Sequence, residues 1–400
     1  MENNKNLRWS FILVTMFLNT VGYSIIIPII PFLVEKYVSD SQVAWYVGLL
    51  LSSYSFCQFF AAPGLGALSD RFGRKPILLI SLFGSVIGYL FLGIGGSITI
   101  LLVGRVIDGL TGGNVSTIYA YLADVTEPKS RGKFYGMLGA AAGFGFMIGP
   151  AIGGFLAKIS LSTPLFVAAA VTFLNMVWGA MVLKESLHPD HKTNKLNLAH
   201  LNPFAQFNHV FSFSDLRRLF ISAFTFFLAM NASYAVYGVY LKDVFKWGPT
   251  QIGLLLFFVG ILDIISQGYL VQKLLHVYQE NKVANIGLVL VGLGFAAGAL
   301  VTVYPTLIFL AIAVIIINIG DGLYEPSFAG LISNAVDQKM QGRVQGASQS
   351  MQSITRVIGP LIGVWVFQYW KGLPFATESI LVVISILLSY ALLTKKAAKI

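Results

Sequence analysis

Two acids four residues apart in an apolar stretch are the first feature of this chain with chemical content. Asp321 and Glu325 stand in Asn318-Ile319-Gly320-Asp321-Gly322-Leu323-Tyr324-Glu325-Pro326. On a helix that spacing puts both carboxyls on one face, with roughly 6 Å of rise between them. In a low-dielectric site two such carboxylates cannot both ionise cheaply, which is the property a proton carrier needs. Arg356, the one basic residue well inside the apolar runs of the second half, is expected beside them, either exchanging with the proton or neutralising one acid as a fixed brace. A second pair, Arg105 and Asp108, is three residues apart and is expected to meet on one helix face. A charge inside a membrane costs about 3 kcal/mol or more unless paired or hydrated. The pair therefore reads either as a proton-coupling device or as a neutralised structural clamp. Asp263 is a further coupling candidate.

The elements that carry these groups follow from composition. Of 400 residues, 56% are hydrophobic and only 11% charged, against roughly a quarter charged in a soluble domain. The sequence breaks into twelve apolar runs of the length a bilayer-crossing helix needs, near 9–30, 44–66, 77–96, 98–122, 133–157, 163–183, 218–241, 250–271, 283–303, 306–333, 344–369 and 376–394. The first is too long for a cleavable secretory signal and is expected to be retained. Asp108 thus belongs to span 4, Asp263 to span 8, Asp321 and Glu325 to span 10, and Arg356 to span 11. The fold expected is an all-α membrane protein of two pseudo-symmetric six-helix bundles, 1–185 and 216–400, joined by a cytoplasmic linker at 186–215. Within that linker Leu198, Leu201, Phe204, Phe207 and Phe211 recur at helical steps, as in a helix lying on the membrane surface.

The formal charge of +10 reports topology rather than a nucleic-acid partner. Of 27 Lys and Arg residues, 20 fall in one alternate set of loops and only Lys36, Lys158, Lys242, Lys246 and Lys371 in the other. That asymmetry places both termini in the cytoplasm of a multi-pass cell-membrane protein. The single Cys57 excludes an internal disulfide, and all five histidines fall outside the spans, so neither a metal nor another cofactor is expected. No phosphate-binding G-x-x-x-x-G-K-[ST] loop is present, so energy must come from an ion gradient.

The halves repeat. At a shift of 210, Gly132, Gly136, Gly149, Pro150 and Gly153 fall on Gly342, Gly346, Gly359, Pro360 and Gly363, and at 213 Asp108-Gly109-Leu110 falls on Asp321-Gly322-Leu323. Parallel repeats of this kind place a cavity between halves near the midplane, open to alternate sides as they rock.

Three motifs carry a family resemblance that covers essentially the whole chain. Gly66-Ala67-Leu68-Ser69-Asp70-Arg71-Phe72-Gly73-Arg74-Lys75, between spans 2 and 3, matches G-x-x-x-D-R-x-G-R-K in full and resembles the signature loop of the major facilitator superfamily. By that resemblance Asp70, Arg74 and Asp124 form a charge relay that latches the outward-facing state. The counterpart at Gly268 to Lys273 keeps little of it. Arg105-Val106-Ile107-Asp108-Gly109-Leu110-Thr111-Gly112-Gly113 is similar to the family's intramembrane arginine and Gly-rich helix, with Asp108 where many members have glutamine. Gly145-Phe146-Met147-Ile148-Gly149-Pro150-Ala151-Ile152-Gly153-Gly154 is similar to its antiporter motif, which is associated with exporters. Physically, Pro150 bends the helix while the glycines admit a close neighbour.

The resemblance also implies that spans 1, 4, 7 and 10 surround the cavity. They offer Asn19, Tyr23, Asn114, Tyr119, Asn231, Tyr234, Tyr237, Asn318 and Tyr324, an aromatic and amide lining suited to drug-sized amphipathic ligands, although aromatics also serve as ordinary packing. The closest resemblance is to the drug:proton antiporters that include tetracycline efflux proteins. Span 1, however, lacks the acid that several of those carry, so the proton site is expected in spans 4 and 10. The function implied is proton-coupled efflux of small compounds by a monomer in the lipid bilayer. A proton-coupled sugar or metabolite permease shares the fold, and a membrane enzyme or receptor is a different class without a supporting motif.

Overall fold

The computed structural model describes residues 2–127, 130–187, 214–336 and 338–397. The amphipathic helix expected around 198–211 lies outside them. Helices stand at all twelve predicted spans, and the described residues contain no strand. In lipid every backbone N–H and C=O must be satisfied within its own segment, and a helix does this.

Span 1 is Glu2–Ile25, followed by a short helix Ile30–Glu35; span 2 is Asp40–Phe72 and span 3 Arg74–Ile94. Span 4 is broken: Ile98–Thr111 and Val115–Val125 are joined by a 3-10 turn at Gly112–Asn114. Spans 5, 6 and 7 are Arg131–Leu156, Thr163–Val182 and Ser214–Phe245. Span 8 joins Pro249–Ile265 to Val271–Leu275 through a π-helical turn, Ser266–Leu270. Spans 9 to 12 are Glu280–Val303, Leu307–Asn334, Gln338–Phe367 and Leu373–Ala397. Nine of these helices, among the described residues, are long and apolar enough to cross a membrane, and Trp9–Ile25 and Leu373–Ser389 are shorter apolar stretches. Span 11 opens on a glutamine-rich stretch before it becomes apolar, so composition alone gives it less weight.

Helix starts repeat with the halves. Ser97 caps span 4 by accepting from Ile100 N–H, and Thr306 caps span 10 by accepting from Phe309 N–H. Packing repeats too. Spans 1 and 5, 3 and 4, 3 and 6, and 1 and 6 pack together, as do their counterparts 7 and 11, 9 and 10, 9 and 12, and 7 and 12. Each set carries a buried polar cross-link at the same place. Asn175 Nδ2 of span 6 donates to Thr15 Oγ1 of span 1 at 3.0 Å, and Ser222 of span 7 meets Ser385 of span 12, hydroxyl to hydroxyl, at 2.8 Å.

The described helices pack as two compact units. One comprises residues 1–40, 53–203 and 247–257; the other comprises 41–52, 204–246 and 258–400. Each therefore contains the first turns of one helix whose remainder belongs to the other: span 8 in the first case, span 2 in the second.

Candidate functional site

The loop motif occupies the junction of spans 2 and 3, where Gly73 alone separates two helices. Its φ of +110° is one that L side chains rarely adopt, and an added Cβ would run into the Glu185 carboxylate. Around this turn the charges close on one another. Arg74 Nη1 lies 2.6 Å from Asp70 Oδ1 and 2.6 Å from Ser69 Oγ, and Arg74 Nε donates to Asp124 Oδ2 at 3.2 Å. The structure thus brings Asp70, Arg74 and Asp124 together, while Arg71 stands exposed with its guanidinium 5.1 Å from the centre of the Phe72 ring. Gly66 accepts from the Ser69 hydroxyl at 2.7 Å.

Sequence reasoning missed the far side of this cluster. Glu185, just past span 6, accepts from the backbone N–H groups of Arg74 at 2.8 Å and Lys75 at 3.3 Å. It satisfies the open N-terminus of span 3 and sets a negative charge at the positive end of the helix dipole. Lys75 Nζ reciprocates by donating to the Ala180 and Leu183 carbonyls, each at 2.7 Å, at the close of span 6. Ser186 Oγ donates to Asp124 Oδ2 at 3.0 Å.

In span 4 the expected pair forms. Arg105 Nη1 lies 3.3 Å from Asp108 Oδ2, and the two residues are 1% and 2% exposed. The Tyr54 ring of span 2 covers the guanidinium at 4.2 Å, a cation–π contact that helps hold a charge out of water. The buried Ser85 of span 3 acts on the same carboxylate. Span 2 approaches so closely that a Cβ on Gly109 would lie 2.6 Å from the Tyr54 carbonyl. Gln58, another residue not anticipated, donates to the Gly112 carbonyl at 2.9 Å, at the break in the helix.

The span 5 motif is a packing surface. Cβ atoms on Gly145 and Gly149 would lie 2.6 Å from Phe17 O and 2.9 Å from Val21 O, and one on Gly153 would overlap Ile25 O. These three glycines form a ladder against the backbone of span 1, where Ser24 Oγ also reaches Gly145 O at 3.3 Å. Gly154 turns instead to the start of span 8, where Thr250 Oγ1 donates to its carbonyl at 2.8 Å and a Cβ on Gly253 would overlap Pro150 O. The second unit repeats the arrangement. Gly359 and Gly363 pack on Asn231 and Ala232 of span 7, and Gly48 of span 2 lies against Pro360 O, with Ser52 Oγ donating to Val357 O at 2.8 Å.

In span 10 Asn318, Asp321 and Glu325 share one half-buried stripe, whereas Gly322, Leu323 and Tyr324 face the packed interior. Asp321 and Glu325 act on each other electrostatically, Arg356 acts on Glu325, and Asp263 of span 8 acts on both acids. The cluster is therefore three carboxyls and one guanidinium rather than two and one. Gln267 Nε2 holds Asp263 by donating to Oδ1 at 2.8 Å, and span 8 comes close because Gly322 faces Ser266, where the π-helical turn begins.

The aromatic and amide candidates divide by environment. Asn19 Nδ2 donates to Asn114 Oδ1 at 2.6 Å, joining spans 1 and 4. Tyr23 stands 5.3 Å from Tyr54, and Tyr119 meets Tyr135 edge-on at 5.2 Å. Asn231, Tyr234 and Tyr237 make a half-exposed stripe along span 7, with Asn231 Nδ2 donating to Phe227 O at 2.8 Å. Asn318 Nδ2 donates to Val314 O at 2.7 Å. Tyr324 differs. It is 3% exposed and enclosed by Phe226, Phe227 and Phe328, its ring 4.1 Å from that of Phe226, which is the setting of a core residue.

Comparison with known proteins places these features. The Major Facilitator Superfamily model matches residues 12–360 and, in a second match, 282–399. The chain is 32% identical to the class C tetracycline resistance protein of Escherichia coli over 368 residues, 90% of this chain and 91% of that one. It is 30% identical to the class H tetracycline resistance protein of Pasteurella multocida, covering 95% and 94%, and 27% identical to multidrug resistance protein 1 of Bacillus subtilis, covering 97% and 96%. Among solved structures, a bacterial homolog of the human lysosomal transporter Spinster superposes with a TM-score of 0.79 at 14% identity, covering 97% of this chain and 96% of that one. The human organic anion transporter MFSD10 superposes at 0.70 with 22% identity, covering 96% and 99%.

Proposed function

The chain belongs to the major facilitator superfamily, and from that premise we propose that it exports small amphipathic compounds, drugs among them, in exchange for protons by alternating access. The observation that carries this reading is its likeness to resistance proteins along about nine-tenths of both chains. The span 5 glycine ladder, packed without spare volume on spans 1 and 8, supports it as a pair of sliding seams. The protein works as a monomer embedded in lipid with both termini in the cytoplasm, has no nucleic-acid partner and catalyses no covalent chemistry.

In the cycle we infer, an outside proton enters the Asp321 and Glu325 carboxyls, where Arg356 and Asp263 set the balance of charge. Substrate leaves outward from a lining that includes Asn19, Tyr23, Asn114, Tyr119, Asn231, Tyr234, Tyr237 and Asn318, and loss of the proton inward resets the cavity. Arg105 and Asp108 keep charge balanced in span 4 as it moves. Asp70, Arg74 and Asp124 hold one state until the cycle releases them.

Everted vesicles carrying the full chain test this directly. An imposed inside-acid gradient should drive ethidium or tetracycline into them, and an uncoupler should abolish the uptake. The double substitution Asp321→Asn with Glu325→Gln should remove the gradient-driven component. Wild-type transport by that variant would sink the assigned carrier, and transport driven by a sodium gradient instead would reassign the coupling ion. Accumulation of a sugar or metabolite by intact cells would replace export with uptake.

A further inference from the structure

Glu378 lies six residues into span 12, the helix that packs on spans 7 and 9, and it is 1% exposed. Among the described residues neither of its carboxyl oxygens has a partner at good hydrogen-bond geometry, although the Ser233 hydroxyl of span 7 lies within electrostatic reach. Ser233 is itself buried, and among the described residues no charged side chain of spans 7, 9 or 11 acts on Glu378. The ionisable groups on the facing stretch of span 7 are phenols. Tyr240 is engaged with Thr302 at 3.1 Å and stands edge-on to Phe375 at 4.8 Å, and Tyr237 lies one turn below. The stretch of span 9 that meets span 12 is apolar, contacting it through the Gly292 carbonyl, which accepts from Ser379 Oγ at 3.1 Å, and through Gly298 against Phe375.

An ionised carboxylate sealed in this way with no counter-charge costs several kcal/mol, and even a neutral carboxyl loses the hydrogen bonds it makes in water. The first half carries no such group at the matching place. Aligned by the helix-starting prolines Pro164 and Pro374, Glu378 falls on Ala168 of the first half, where a methyl group fills the same place. The second half has therefore put a proton-binding group where its twin has none.

We propose that Glu378 is a second protonation site of this transporter, separate from the Asp321 and Glu325 cluster, and that it gives up and regains a proton as span 12 shifts against spans 7 and 9 during transport. In the state described here it is a neutral acid. The step moves one proton between Glu378 and water admitted at the end of span 12, and no other bond changes. This rests on the proton-coupled reading above, but its first test does not use transport.

Infrared difference spectra of the purified full-length protein in lipid, wild type minus Glu378→Gln, should show at neutral pH the carbonyl stretch of a protonated carboxylic acid in an apolar setting. That band should shift on exchange into deuterium oxide. A difference spectrum carrying only carboxylate bands would overturn the proposal. Adding transported substrate should then bleach the band in part, and a band unmoved by substrate would make Glu378 a fixed acid and end its assignment to the cycle. In vesicles Glu378→Gln should lose the gradient-driven component of efflux while retaining substrate binding, and Glu378→Asp, which can still titrate, should restore part of it. Should Glu378→Gln fail to fold, Glu378→Asp against wild type provides the spectra. Loss of gradient-driven efflux in Asp321→Asn/Glu325→Gln with the Glu378 band intact separates failure of one site from failure of the other.

Discussion

Glu185 illustrates what a single carboxylate contributes when it stands at the end of another helix. Substituting Ala leaves the first N–H groups of span 3 without their acceptors, a loss of about 0.5–2 kcal/mol for caps of this type. A lower melting temperature of the purified protein in detergent should report it, with Glu185→Gln intermediate because an amide oxygen still accepts. Asp70, Arg74 and Asp124 were legible from sequence because a contiguous motif names two of them. Glu185 was not, since its partner Arg74 is 111 residues away and nothing in the local sequence points across that gap. Gln58 was hidden for a similar reason. Its role depends on the 3-10 break at Gly112–Asn114, whose Gly112 carbonyl it donates to from span 2. Gln58→Leu should remove this side-chain hydrogen bond to the Gly112 carbonyl, at a cost of about 0.5–1.5 kcal/mol, read as thermal destabilisation with transport reduced in proportion to folded protein.

At the scale of helices, the glycines of span 5 were readable as close-packing positions, yet the sequence could not say against what. The structure divides them, with Gly145, Gly149 and Gly153 against span 1 and Gly154 toward span 8. Gly149→Leu should drive a side chain into the Val21 carbonyl. Overpacking of this kind costs about 1–3 kcal/mol, and the expected outcome is protein that reaches the membrane but melts lower and transports poorly. Gly132→Ala is the control, because nothing lies within 4 Å of the position where its Cβ would go. The interrupted spans 4 and 8 were expected as continuous helices. A 3-10 or π turn is a choice among hydrogen-bond registers made by neighbouring helices, and the apolar pattern is much the same in any of them. The acid cluster was half legible for this reason. Asp321 and Glu325 share a helix and a face, while Asp263 joins them only because span 8 approaches at the π turn, opposite Gly322.

For the molecule as a whole, the duplicated architecture was the most legible feature, because composition and spacing survive duplication better than identity does. Charge distribution supplies the orientation we propose. With Cys57 replaced by Ser, a single cysteine introduced at Ser130 should stay protected from a membrane-impermeant maleimide added to intact cells, and one at Ser160 should react. The reverse pattern would invert the topology. The two compact units do not follow the order of the chain. One unit takes residues 247–257 from the second half, and the other takes 41–52 from the first. The residues that seal these borrowed turns are Gly48 and Gly253, each followed by three leucines and each set against the carbonyl of a proline, Pro360 and Pro150 respectively. Each unit thus includes a short stretch supplied by the half of the chain that builds mainly the other. Cutting the linker between residues 187 and 214 should therefore yield fragments that degrade when expressed singly and rescue one another when expressed together, each holding the piece that completes its sibling.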